Sequence, residues 1–217
     1  MFEPLLIFSL ILIFQNIAVF LDNLGVYNLI QKHHNANIAS NYAKKYQIDF
    51  LSRGFLFFTP PLLGYLLTHD ALDTLIKIFI FSSFITLLVT ILQSIWLLSN
   101  LRYHFHIALT FNKFLIILFG LCIYAIYLYV PFYLNILAYF FKDQSLWLVQ
   151  LSPALTVITS MFVVYYMDPR IARFIDSKKK NKAPNVIFEM IVMRISGRVL
   201  ILAIAILMYT QYAHLIS

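Results

Sequence analysis

The stretch Glu189–Arg198, EMIVMRISGR, leads directly into Val199–Ser217, VLILAIAILMYTQYAHLIS, and places two arginines four residues apart at the mouth of a long apolar helix. A charge-free apolar run of roughly 17 to 25 residues is what a helix needs to cross a hydrocarbon layer about 30 Å thick. The rest of the chain shares this character. Of its 217 residues 62% are hydrophobic and only 12% charged, with a mean hydropathy of +0.84. A soluble core could not bury that much apolar surface, so the bilayer is the solvent. The single cysteine, Cys122, excludes an internal disulfide.

The sequence predicts an all-α polytopic membrane protein, one transmembrane domain over residues 1–217. Its six transmembrane helices fall at about 4–30, 50–68, 74–98, 112–141, 144–167 and 186–212. The first stretch, Pro4 to Leu21, lacks the basic start and small-residue cleavage pattern of a signal peptide and reads as a retained span. Lysines and arginines alternate between connections. Lys32, Lys44 and Lys45 fall in the first, Arg102 and Lys113 in the third, and Arg170, Arg173, Lys178, Lys179, Lys180 and Lys182 in the fifth. The second holds only Lys77 and the fourth only Lys142. The positive-inside rule then places both termini on the outer face. The net charge of +7 is thereby a topology signal, and nucleic acid is not an expected partner.

Two readings fit the arginines of the opening stretch. If the last span starts after Arg198, Val199–Ser217 still reaches about 28 Å and both side chains snorkel at the cytoplasmic surface. If Tyr209 and Tyr212 mark the outer interface, Arg198 lies about 16 Å below it, near the midplane. There an arginine costs on the order of 2.5 to 3.5 kcal/mol on insertion scales and must face a wet cavity or a partner. Arg194 shares its helix face, one turn shallower, and Ser196 and Gly197 allow a backbone or ligand to come close.

The second span repeats the theme. In Asp49–Gly64, DFLSRGFLFFTPPLLG, Arg53 lies about 18 Å before Tyr65. Pro60 and Pro61 break the helix, since each lacks a backbone donor. Such a break survives at membrane depth where protein or a wet cavity satisfies the freed backbone. The alternative is a kinked packing helix with Asp49 paired to Arg53. Gln15 and Asn16 fall in the middle of the first span, Asp22 near its inner end and Gln93 toward the inner end of the third, as candidates for interhelical hydrogen bonds or a ligand path. Of the tyrosines of the fourth span, Tyr124, Tyr127, Tyr129, Tyr133 and Tyr139, most read as packing and belt residues and some as candidates to line a sugar path, with Pro131 as a kink.

No phosphate-binding Gly-rich loop, His-Glu-x-x-His helix or nucleophile elbow is present. His33, His34, His104 and His106 read as loop residues. The expectation is therefore no cofactor, no metal and no catalytic residue. Arginines aimed inward suit an anionic, partly lipidic substrate, whose phosphates pair with guanidinium forks while its tail stays in the bilayer.

Gln150–Asp176, QLSPALTVITSMFVVYYMDPRIARFID, followed by Arg194–Arg198, RISGR, resembles the end of the alternate lipid II flippase (Amj) family. Ser52-Arg53 with Pro61-Leu62-Leu63-Gly64 resembles that family's second span, and Asn135-Ile136-Leu137-Ala138 its fourth. The chain departs from the pattern in its clipped loops and in Gln15 and Asn16, where a more acidic first span is expected.

The resemblance implies a multi-pass protein of the bacterial inner membrane that flips undecaprenyl-diphosphate-linked saccharide to the outer leaflet without ATP. The cargo is lipid II or a related cell-wall, capsule or O-antigen precursor. By position Arg53 and Arg198 match the family's arginines, and Asp168 and Asp176 its Asp-Pro segment. Arg53, Arg198 and Arg194 are then the diphosphate ligands, with Asp22, Gln15, Pro60, Pro61, Asp168 and Asp176 supporting or gating. The expected partners are the lipid-linked saccharide, membrane lipid and a second copy of the chain. Two other classes stay open: an integral membrane enzyme acting on lipid diphosphates, and a non-catalytic membrane assembly subunit.

Overall fold

The structure, a computed structural model, describes residues 2–31, 38–68, 72–101, 117–118, 120–125, 129–162, 165, 169 and 183–216. The described residues form helices: α1 (Phe2–Gln31), α2 (Ile38–Phe57), α3 (Thr59–Thr68), α4 (Leu72–Leu101), α5 (Val130–Phe140), α6 (Ser145–Phe162) and α7 (Ala183–Ile216). A short 3-10 turn at Lys142–Gln144 joins α5 to α6, and 120–125 is also helical. Three stretches are long and apolar enough to cross a bilayer: Leu6–Tyr27, Leu72–Ser99 and Phe188–Ala213. At 1.5 Å per residue even the shortest, with 22 residues, reaches about 33 Å. The chain is a helical membrane protein.

The second predicted span begins much earlier than its apolar run. α2 starts at Ile38 and carries the polar segment Asn41–Asp49 as helix. There Lys45, though 2% exposed, pairs with Asp49 one turn on at 2.7 Å. The sequence offers Asp49 a forward partner in Arg53; the four-residue pair it makes runs backward, to Lys45. The break expected at the prolines is present, with its turn at Phe58. Pro60 and Pro61 occupy the first turn of α3, where a missing N–H leaves no helical bond unmade.

The fourth predicted span, 112–141, is not one continuous helix among the described residues. α5 has 11 residues, about 16 Å, and Pro131 sits in its first turn. Asp168 and Asp176, and the four loop histidines, lie outside the described residues.

α4 is the axis of the bundle, packing against α1, α3, α5 and α7, while α1 also covers α2 and α3. The buried core gathers Leu75, Ile78 and Phe79 of α4 with Leu63 and Leu66 of α3, Phe132 and Ile136 of α5, and Ile201 and Ala205 of α7. Phe50, Phe57, Phe81, Leu92 and Leu207 face outward, the arrangement expected when the solvent is hydrocarbon.

Candidate functional site

The two arginines of α7 turn into the protein. Arg194 is 2% exposed and Arg198 1%, which excludes the snorkelling geometry for both. One feature of the sequence makes this possible. Gly197 lies between them on the side where the 120–125 helix crosses. A Cβ there would stand 2.9 Å from Tyr124 Cβ and 3.2 Å from both the Ala125 nitrogen and the Leu121 oxygen. Gly120 likewise approaches Met193. The two backbones thus meet closely at Gly197, as small-residue contacts allow in membranes, and Tyr124 and Tyr129 come over the guanidiniums.

Arg194 is neutralised and held. Its Nη1 lies 3.2 Å from Asp22 Oδ2 and donates to Asn23 Oδ1, both on α1. Its Cζ stands 5.1 Å from the Tyr124 ring centroid, a cation–π contact. At an effective dielectric of about 20, charges 3.2 Å apart attract by about 5 kcal/mol before desolvation is subtracted. Asn23 links three helices, because its Nδ2 donates to Thr90 Oγ1 of α4 at 3.3 Å while its Oδ1 accepts from α7.

Arg198 is different. Its Cζ lies 6.0 Å from the Tyr129 ring centroid, but its Nε and Nη1 have no hydrogen-bond partner among the described residues. No carboxylate among them makes a salt bridge to it. Arg194 Nε, one turn away, is also without a partner. The pair therefore presents three buried, unused N–H-bearing nitrogens beside two tyrosine rings, a donor set suited to an oxyanion.

A hydroxyl ladder on α4 backs this cluster. Ser82, Thr86, Thr90 and Ser94 recur every four residues, span about 18 Å and are all buried. Thr86, Thr90 and Ser94 donate to backbone oxygens of Ser83, Thr86 and Thr90 at 3.0, 2.8 and 2.7 Å. Their protons are spent, so the neighbouring tyrosines must be the donors: Tyr129 to Thr86 at 2.6 Å and Tyr27 to Ser94 at 2.9 Å. The ring under Arg198 is thereby fixed by α4.

Arg53 does not join the cluster. It is exposed on α2, beside Phe50, Leu51, Gly54 and Phe57, with no hydrogen bond or ion pair among the described residues. Asp22 belongs to the cluster, half-buried against Arg194. Gln15 is fully buried two turns away on the same face of α1. Pro60 and Pro61 shape α3 and make no contact with the arginines that the structure records. Gln93 makes the expected interhelical bond, to the Phe20 oxygen at 3.1 Å, whereas Asn16 bonds within its own helix, to the Leu12 oxygen at 2.7 Å. Sequence reasoning missed Asn23, Tyr27 and the α4 ladder, and did not single out Tyr124 and Tyr129 among the tyrosines of the fourth span. The four-residue recurrence of hydroxyls in an apolar helix was the signal for the ladder.

No family model matches the chain, and no curated protein and no solved structure matches it.

Proposed function

We propose that the chain is a six-span protein of the bacterial cytoplasmic membrane, both termini outside, that moves an undecaprenyl-diphosphate-linked saccharide from the inner to the outer leaflet without ATP. The observation supporting this reading is Arg198: a guanidinium 1% exposed, with Nε and Nη1 unbonded and no partnering acid among the described residues. Keeping such a group at membrane depth is costly, and a substrate that brings its own negative charge offsets that cost. A diphosphate offers enough acceptor oxygens for Arg198 and for the free Nε of Arg194 at once. Asp22 holds Arg194 in place and lowers its appetite for a second anion, so Arg198 is the principal ligand. The turn at Phe58 between α2 and α3 is the hinge that opens one side. Arg53, exposed on α2, meets headgroups at the membrane surface and stays outside the site. An inside-negative potential favours outward movement of the anion by about 2.3 kcal/mol per charge per 100 mV.

The experiment is flipping of labelled undecaprenyl-diphosphate saccharide in proteoliposomes. Arg198→Ala is expected to abolish movement and Arg53→Ala to preserve it; wild-type rates for Arg198→Ala would refute the reading.

A second reading, a non-catalytic assembly subunit, is favoured by α6. That helix packs chiefly on α5 and turns Leu146, Trp147, Leu151, Val157 and Ile158 outward, a broad face for a partner helix or a second copy. Stoichiometric co-purification of a partner, with no transport by the chain alone, distinguishes it.

A further inference from the structure

α4, α5 and α7 leave a groove of about 260 Å³ between them. Ile76 of α4, Ile136 and Phe140 of α5, and Ile204, Leu207 and Met208 of α7 form its walls, and Gln211 and Tyr212 supply its polar side chains among the described residues. On α7 the groove begins six residues beyond Arg198, about 9 Å, and ends about 21 Å from it. It is separate from the arginine cluster.

Its place narrows what can fill it. The wall residues of α4 and α7 fall within the bilayer-length stretches Leu72–Ser99 and Phe188–Ala213, so its open side faces hydrocarbon. Gln211 and Tyr212 stand at the very end of the second stretch, where polar and amphipathic side chains mark the membrane surface. Ile76 is followed by Lys77, an exposed cation whose Nζ lies 2.6 Å from Asp73 Oδ2. An exposed pair of this kind is weak and exchanges readily for another anion. A helix, 10 to 12 Å across, does not enter a space of this size, and an extended peptide at this depth would leave its backbone polar groups unbonded. A flexible chain, apolar along its length and polar and anionic at one end, meets every wall.

We infer that this groove binds one acyl chain of an anionic membrane phospholipid, its headgroup held at Gln211 and Tyr212 and its phosphate drawn to Lys77. The site does not rest on the transport reading, and either can fail without the other.

The test uses the full chain in vesicles of phosphatidylglycerol and phosphatidylcholine, each doped in turn with a diazirine-bearing acyl chain. Adducts are mapped by mass spectrometry after irradiation. Phe140, Ile204, Leu207 and Met208 are expected to carry a roughly tenfold excess of adducts over Leu92 and Ile95, the ratio given by a preference of about 1.4 kcal/mol. Leu92 and Ile95 are 65% and 57% exposed on α4 and report casual lipid contact. Ile204→Trp should empty the groove of label and leave Leu92 unchanged, and Lys77→Gln should lower phosphatidylglycerol labelling more than phosphatidylcholine labelling. Adducts no denser in the groove than at Leu92 would overturn the site. The wild-type map alone decides this if Ile204→Trp does not fold. An equal response of both lipids to Lys77→Gln would overturn the headgroup assignment.

Discussion

Replacing each buried arginine by methionine should shift stability in opposite directions. Arg198→Met removes a cation with no acid partner among the described residues, and relieves up to about 3 kcal/mol of insertion cost. It forfeits the contact with the Tyr129 ring at 6.0 Å, on the order of 0.5 to 2 kcal/mol. The balance is a gain of about 1 to 2 kcal/mol, which for a chain of this size raises Tm by roughly 2 to 8 °C. Arg194→Met breaks the 3.2 Å pair with Asp22 and the bond to Asn23, stranding a half-buried carboxylate. Breaking such a pair from one side costs about 3 to 5 kcal/mol. The assay is thermal unfolding of both variants in the same detergent, followed by near-ultraviolet circular dichroism. A destabilised Arg198→Met, equal to Arg194→Met, would refute the division of labour between the two side chains. A stabilised Arg198→Met that has also lost transport would mark Arg198 as retained for function at the expense of stability.

Gly197→Ala should destabilise by about 1 to 3 kcal/mol, since its Cβ meets the backbone of 121–125 at 3.2 Å and backbone cannot step aside. Gly64→Ala, with nothing within 4 Å and a helical setting, should gain about 0.5 to 1 kcal/mol; titration with a denaturing detergent compares the two. Tyr129→Phe keeps the ring beside Arg198 but loses the 2.6 Å bond to Thr86, costing about 0.6 to 1.7 kcal/mol in the same titration. Asp73→Asn, which breaks only the exposed pair with Lys77, should change Tm by no more than about 1 kcal/mol allows and show no transport defect.

Much of the bundle was legible because apolar length is a strong signal. The stretches centred on α1, α4 and α7 were marked by long, predominantly apolar sequence, and their helices extend only a few residues past the predicted bounds. α2 was misjudged at its start, since Asn41, Lys44, Lys45, Gln47 and Asp49 read as a loop; the buried Lys45–Asp49 pair lets that polar segment continue as helix. The pairing of Arg194 with Asp22 could not be read from sequence, because residues 172 positions apart carry no spacing rule. Arg53 looked like a companion to Arg198 from its distance to Tyr65. Depth along a helix says nothing about azimuth, and one face of α2 points at α1 while the opposite face points out. Ser52 shows this directly, its hydroxyl donating to the Ala18 oxygen of α1 at 2.8 Å one residue before the exposed Arg53.

The difference between Arg194 and Arg198 follows from the same azimuthal logic. Residues four apart on a helix are offset by about 40°, so two side chains on one face still meet different neighbours. Arg194 reaches Asp22 and Asn23, more than two turns before the end of α1, and its charge is spent on holding α1 to α7. Arg198, one turn on, meets Tyr129 at the start of α5, a residue whose hydroxyl is already committed to Thr86 and whose ring can only soften the charge. Moving the acid one turn, by Ala18→Asp together with Asp22→Asn, tests whether neutrality is what separates them. Ala18 is fully buried on α1, one turn from Asp22 and within the bilayer-length stretch Leu6–Tyr27. If a carboxylate there captures Arg198, binding of the proposed lipid diphosphate by that arginine should weaken tenfold or more, since each 1.4 kcal/mol of competing attraction costs about a factor of ten. The Asp22→Asn change meanwhile leaves Arg194 as the free cation. Binding of undecaprenyl diphosphate that persists in this double variant, but vanishes when Arg194→Met is added to it, would show that the site tracks the uncompensated guanidinium, whichever turn carries it. Binding that stays with Arg198 regardless would refute the charge argument and point instead to the shape made by Tyr124 and Tyr129.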